Sequence, residues 1–288
     1  MLILAATDFS TRSHRALRKA GLLAGARGAE LTILHVVDDD RHQDLIEIES
    51  REAERILTEQ ILGMVELRAV QCRPMVVRGD PFDGILVAAR MIGADLIVMG
   101  AHRKQLLRDI FIGTTIERVI RTGSYPVLMV NSEADEPYRN AMAAVDLSEP
   151  SANALRTAKS LRLVGEEGIT LLHAFTAPGK RKMSMAGIDQ AAIATYVGSE
   201  RERATDAFVA FLTVNELCSP NLPMRIEEGE PLDVIERVVE TMKVDLLILG
   251  TRGRTGLLKV LLGSVTEEAL RRFDIDILAV PPVRPLQA

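Results

Sequence analysis

The sequence predicts an α/β protein of two tandem doubly wound domains, each a five-stranded parallel sheet with helices on both faces. Two observations carry that prediction. The first is an internal repeat. LILAATDFS (2–10) returns as NAMAAVDLS (140–148), ELTILHVV (30–37) as GITLLHAF (168–175), and ADLIVMG (94–100) as VDLLILG (244–250). The spacings return too. Asp8 to His35 and Asp146 to His173 both span 27 residues, and the steps Gly79–Gly100–Gly113 and Gly229–Gly250–Gly263 are both 21 and 13. The second observation is that short apolar runs alternate with helical patterns inside each copy, as strand–helix winding requires.

In the first copy LILAAT, ELTILHVV, MVVRG, ADLIVMG and YPVLMV read as strands. Runs apolar on both faces suit parallel strands covered by helices on either side. Between the first two, Ala16, Leu17, Ala20, Leu23 and Ala24 recur at helical spacing, with Ser10 or Thr11 as cap and Gly28 as stop. The counterpart helix carries Pro150 in its first turn, where a missing N–H costs nothing. The acidic, Pro-containing stretch 132–139 reads as a linker, so the domains are expected at 1–131 and 140–283. The second copy is 12 residues longer between its second and third strands.

Composition narrows the function classes. With 47% apolar and 26% charged residues over 288 positions, the chain is globular and long enough for two cores. No apolar run approaches the roughly 18–20 residues of a membrane span, and the start MLILAATDFS lacks a signal-peptide pattern, so a cytoplasmic location is expected. A net charge of −5 argues against a nucleic-acid partner. Cys72 and Cys218 fall at unmatched positions of the repeat, and the five histidines show no metal-ligand spacing.

The segment carrying chemistry is LLILGTRGRTGLLKVLLGSVTEEAL, with Gly250-x-x-Gly253, nine residues, then Gly263-Ser264. Ligands of open parallel sheets lie beyond the carboxyl ends of the strands, where Gly250 falls. Glycines let the backbone turn sharply and approach a phosphate, and a helix N-terminus at Gly263-Ser264 offers N–H groups to an anion. A plainer reading stands beside it, in which Ser264 with Glu267, and Thr114 with Glu117, form capping boxes. Asp8 and Asp146 close the first strands, where a carboxylate either caps the next helix or meets a ribose hydroxyl or a bridging Mg²⁺. His35 and His173 read as satisfied residues at the core edge. Lys182-Met183-Ser184 lacks the partner element of an adenylate-transfer loop, and Asp38–Asp40 reads as a solvated run.

This glycine pattern, with Asp146 far upstream, resembles the ATP-binding signature of the universal stress protein family, and the likeness covers nearly the whole chain, once per half. The resemblance implies a Rossmann-like fold of the adenine nucleotide alpha hydrolase type. It implies that Asp146 lies near the ribose or phosphates, that Ala174 contacts adenine, and that Gly250, Gly253, Gly263, Ser264 and Val265 surround ribose and triphosphate. The corresponding first-half set is Asp8, Val36, Gly100, Arg103, Gly113 and Thr114. There Arg103 stands in place of the second glycine and Thr115 in place of the valine. Arg103 either closes that site, pairs with a phosphate helped by His102 and Lys104, or sits in a solvated basic loop. In single-domain members the last strands of two subunits pair, which implies an intramolecular pseudo-dimer here, with further homodimerisation left open.

The expectation is therefore an ATP-binding stress or regulatory protein, with AMP and ADP as alternative ligands and Mg²⁺ as an accompanying ion. No base, nucleophile or arginine finger is fixed by the sequence, so at most slow hydrolysis is expected. The alternative is a nucleotide-independent module for a small molecule or a protein partner.

Overall fold

A computed structural model describes residues 1–101, 114–133, 136–165, 168–219, 222–253 and 262–283. The expected winding is present. The first half runs β1 (Leu2–Ala6), α1 (Thr11–Arg27), β2 (Glu30–Val37), α2 (Gln43–Gly63), β3 (Cys72–Arg78), α3 (Pro81–Ile92), β4 (Leu96–Gly100), α4 (Thr115–Thr122) and β5 (Val127–Val130). The second runs β6 (Ala141–Ala144), α5 (Glu149–Leu161), β7 (Ile169–Phe175), α6 (Gly179–Met185), α7 (Gln190–Val214), β8 (Met224–Glu228), α8 (Pro231–Met242), β9 (Leu246–Gly250), α9 (Ser264–Arg272) and β10 (Asp276–Val280). The 12 extra residues of the second copy fall in the α6–α7 region.

All the strands join in one sheet of order β3-β2-β1-β4-β5-β10-β9-β6-β7-β8. Every neighbouring pair is parallel except β5 with β10, which run antiparallel with Leu128 opposite Leu278. The pseudo-dimer is thus a continuous sheet within one chain. Its two faces follow from strand alternation. Ile3, Leu31, Val98 and Leu128 face α1 and α2, and Ile248 and Leu278 continue that face towards α5 and α7. Leu4, Ile97 and Met129 face α3 and α4, continued by Leu247 and Ile277 under α8 and α9.

Local signals act as expected at several ends. Ser10 caps α1 by accepting from Ser13 N–H, Gly28 ends it in the left-handed conformation, and Pro150 opens α5. The strand read as MVVRG begins earlier, at Cys72, and takes in Pro74. That is tolerated because β3 is an edge strand with β2 as its sole neighbour in the sheet.

The seam between halves is held by a group with no counterpart in the repeat. Asp276, fully buried in β10, stands where the first copy has Pro126. Its Oδ1 accepts from Asn131 N–H and Ser132 N–H at 2.8 Å and from Ser132 Oγ at 2.9 Å. Its Oδ2 accepts from Tyr138 O–H at 2.6 Å. Tyr138 in turn lies under Lys19 of α1, whose Nζ is 4.4 Å from the ring centre and donates to Glu136 O at 3.0 Å. A carboxylate taken out of water is tolerable only when its lone pairs are filled, and here they are. Burial, then the Asp276 charge, raises the Tyr138 hydroxyl well above its usual pKa of 10.0.

Glycines at the ends of β4 and β9 serve helix–strand packing. A Cβ on Gly100 would lie 2.6 Å from Arg12 O, and one on Gly250 would lie 2.9 Å from Pro150 O. Backbone cannot yield as a side-chain tip can, so Gly250→Ala is expected to destabilise by about 1–3 kcal/mol in urea unfolding, with or without ligand. Tyr138→Phe is expected to cost about 1.5–3 kcal/mol through loss of a hydrogen bond to a charged group. Because the folded state raises this hydroxyl's pKa, its contribution is full below pH 10 and is lost as pH rises beyond. The stability gap between wild type and Tyr138→Phe therefore narrows above pH 10.

Candidate functional site

Both halves place a cavity at the carboxyl ends of their strands, at the point where strand order reverses. In each, the first strand runs into an Asp-x-Ser turn. Phe9 and Leu147, the middle residues, both have φ of 62°, a left-handed conformation that non-glycine residues seldom adopt. The turn lets Asp8 Oδ1 accept from Ser10 N–H at 3.0 Å and Asp146 Oδ1 from Ser148 N–H at 3.1 Å, with Ser148 Oγ also donating. Ser10 and Ser148, not the aspartates, cap α1 and α5. The carboxylates are left lining the cavities. For Asp8, partial burial acts to raise the pKa, but hydrogen bonds from Ser10 and Ser13 outweigh it and hold the carboxyl below its ordinary value.

His35 and His173 are fixed in the same way in both halves. Their Nδ1 atoms lie 2.8 Å from Thr7 O and Val145 O. A carbonyl only accepts, so each Nδ1 carries a proton. His35 also stacks on Phe9 at 4.2 Å. These are orienting residues at the strand ends.

The second cavity, of about 330 Å³, brings together Asp146, Ala174, Gly250, Gly253, Gly263, Ser264 and Val265. Arg252, Leu172, Pro231 and Ile235 also line it and were not singled out from the sequence. Apolar walls at the second strand and third helix carry no motif, so only the fold could locate them. The first cavity, of about 550 Å³, takes in Asp8, Val36, Gly100 and Thr114. Arg103 and Gly113, with His102 and Lys104, lie outside the described residues.

The glycines differ from expectation in their reason. Gly250, Gly253 and Gly263 make no left-handed turn; what they provide is room. A Cβ on Gly253 would sit 2.9 Å from Asp146 Oδ2, so a larger residue there would press on this carboxylate. A Cβ on Gly263 would meet nothing closer than Gly253 N at 3.6 Å. Gly263 keeps open the space in front of that amide.

The helices behind the two cavities begin differently. Thr114 is the N-cap of α4, and its Oγ1 accepts from Glu117 N–H at 3.2 Å. The Glu117 side chain pairs with Arg121. In α9 the expected Ser264–Glu267 box is not formed. Gly263 is the N-cap and supplies no side chain, and Ser264 is already the first helical residue. The N–H groups of Gly253, Ser264, Val265 and Thr266 have no hydrogen-bond partner among the described residues. Thr266 Oγ1 donates to Gly250 O at 2.7 Å, tying the helix to the end of β9. Open amides at a helix start, with its positive dipole end, suit an anion. Among the described residues no cluster of three metal-ligating side chains is present, and Asp146 is the single carboxylate in the second cavity's lining.

Comparison with known proteins fits this geometry. The model of the universal stress protein family matches residues 1–131 and again 137–281. Universal stress protein E of Escherichia coli K12 is 25% identical over 217 residues, covering 72% of this chain and 67% of its own. Universal stress protein MJ0577 of Methanocaldococcus jannaschii is 29% identical over 150 residues, covering 44% of this chain and 93% of its own. In fold, a universal stress protein from Archaeoglobus fulgidus superposes with a TM-score of 0.71 at 20% identity, covering 98% of both chains. Matched by one family's model twice in succession across nearly its whole length, this chain belongs to the universal stress protein family.

Proposed function

We propose that the second half holds an adenine nucleotide, ATP with Mg²⁺ foremost, and that the chain acts as a nucleotide-responsive regulatory or stress protein. The observation that carries the reading is the uncapped start of α9. Open N–H groups at Gly253, Ser264, Val265 and Thr266 stand beside a cavity that also holds Asp146. A helix dipole contributes roughly 0.3–1 kcal/mol, so several aligned N–H groups supply most of the hold on phosphate. Asp146 accepts a ribose hydroxyl or meets a Mg²⁺ that the phosphates carry, since Mg²⁺ typically takes one or two carboxylates with phosphate oxygens. The wall of Leu172, Ala174 and Ile235 gives a flat base an apolar seat. His173, held through Nδ1 to Val145 O, stands in the same cavity wall.

Titration of nucleotide-stripped full-length protein with Mg·ATP is expected to give micromolar binding, about −8 kcal/mol. Gly263→Val places a branched side chain before the Gly253 amide, its Cβ meeting the backbone of residues 251–253 at ordinary contact distances of 3.6–3.8 Å. It is expected to abolish the second half's binding while the melting temperature stays within a few degrees of wild type. Undiminished affinity in Gly263→Val contradicts the site. Failure of ATP, ADP and AMP alike to bind the wild type favours the nucleotide-independent module instead.

A further inference from the structure

Among the described residues the sheet ends at β3 on one side and at β8 on the other. An outer strand presents unpaired N–H and C=O groups, a template for pairing with another chain. The two ends handle this differently. At β3, Leu31 N–H donates to Gln71 O and Gly79 N–H to Val37 O, both at 3.0 Å. Between those bonds the backbone alternates, so the groups of Arg73, Met75 and Val77 turn to β2. Those of Cys72, Pro74, Val76 and Arg78 face outward. Pro74 therefore stands within the open edge, where it has no N–H to offer and its ring hinders a neighbour.

At β8, Leu171 N–H donates to Pro223 O at 2.8 Å and Gly229 N–H to Phe175 O at 2.9 Å. The same alternation turns the backbone groups of Arg225 and Glu227 to β7. The N–H and C=O of Met224, Ile226 and Glu228 are left facing outward. The 150-residue offset that relates Gly79 to Gly229 sets Met224 where the first half has Pro74. The blunting residue is missing here, and Met224 is 48% exposed. One outward group is covered: Arg201 of α7 donates from Nη1 to Ile226 O at 2.8 Å. The others have no hydrogen-bond partner among the described residues. Side chains on this strand also follow an order. Arg225 and Glu227 lie 3.0 Å apart on the face towards α8, where Arg237 is 3.7 Å from Glu227, and Ile226 packs on the opposite face.

We propose that the outer edge of β8 docks a second copy of this chain, the two β8 strands pairing antiparallel about Ile226. A twofold axis there sets Ile226 opposite the partner's Ile226 and Met224 opposite the partner's Glu228. Every outward N–H then meets an outward C=O, as hydrogen-bonded pairs of an antiparallel ladder require. The partner's Ile226 N–H takes the place of the exposed Arg201 on Ile226 O. Arg225 falls opposite the partner's Glu227, and Glu227 opposite the partner's Arg225, in the positions where cross-strand side chains lie closest. Moving the centre by one residue, to Arg225 or Glu227, sets like charges directly against each other. The strand is thus complementary to its own reverse, which selects a second copy as the occupant. Proline in β3 closes the other end, so the assembly stops at two chains.

Sedimentation of the full-length protein over rising concentration is expected to pass from the mass of one chain to that of two, and no further. Met224→Pro copies into β8 the residue that β3 accommodates at the matching position. It is expected to remain monomeric where the wild type is dimeric, with an unchanged circular dichroism spectrum. Arg225→Glu sets like charges opposite each other twice and is expected to raise the dissociation constant by roughly tenfold. Adding Glu227→Arg restores opposite charges and recovers most of that loss. The proposal is overturned if the wild type stays monomeric at its highest soluble concentration, or if folded Met224→Pro still dimerises. It is equally overturned if Arg225→Glu leaves the affinity unchanged or the double reversal recovers nothing. Should Met224→Pro fail to fold, the two charge variants decide.

Discussion

The antiparallel pairing of β5 with β10 is the constraint on which the rest of the molecule depends. A doubly wound sheet of five strands leaves its last strand, apolar on both faces, with an open edge, which proteins must cover or pair. Pairing β5 to β10 removes both edges at once and joins the two cores into faces that run across the whole sheet. The price is a buried carboxylate, Asp276, and the linker meets it. Asn131, Ser132 and Tyr138 deliver their donors to Asp276 because the chain leaving β5 turns straight across the start of β10. Lys19 then fastens the same linker to α1. The connection is thus part of the interface it spans.

Within this shared frame the two halves differ in the residues that start their helices. Both keep the left-handed Asp-x-Ser turn, the histidine bonded back to the first strand and the packing glycine at the fourth. These are common to both cavities. The differences lie in a few atoms. One helix is capped by Thr114 and the other by a glycine that offers nothing. One first turn carries Arg12, and the other Glu149 and Pro150. A tandem chain can vary such atoms separately in each copy, which a symmetric pair of identical subunits cannot.

Much of this was legible in the sequence because it repeats. Ser10, Gly28 and Pro150 end or open helices by local rules that hold whatever surrounds them, and strand alternation gave both faces of the sheet. The seven residues that the resemblance placed around a nucleotide line one cavity. What could not be read is what depends on the approach of distant chain. Ser264 followed by Glu267 has the pattern of a cap, yet the turn begins one residue earlier. Asp276 interrupts an otherwise apolar strand, a signal that something must satisfy it, but Tyr138 could be named only once β10 lay beside the linker. Gly250 serves helix packing and Gly253 lies beside a carboxylate, a difference that one motif does not reveal.

The account turns on the start of α9 being open to phosphate at residues 264–266, while in α4 the Glu117 N–H is already taken by Thr114. Amide hydrogen exchange read residue by residue, with and without Mg·ATP, tests that contrast directly. The predicted result is slowed exchange at residues 264–266 on adding nucleotide, with Glu117 unchanged. Equal protection in both halves, or none at residues 264–266 under saturating Mg·ATP, would contradict it.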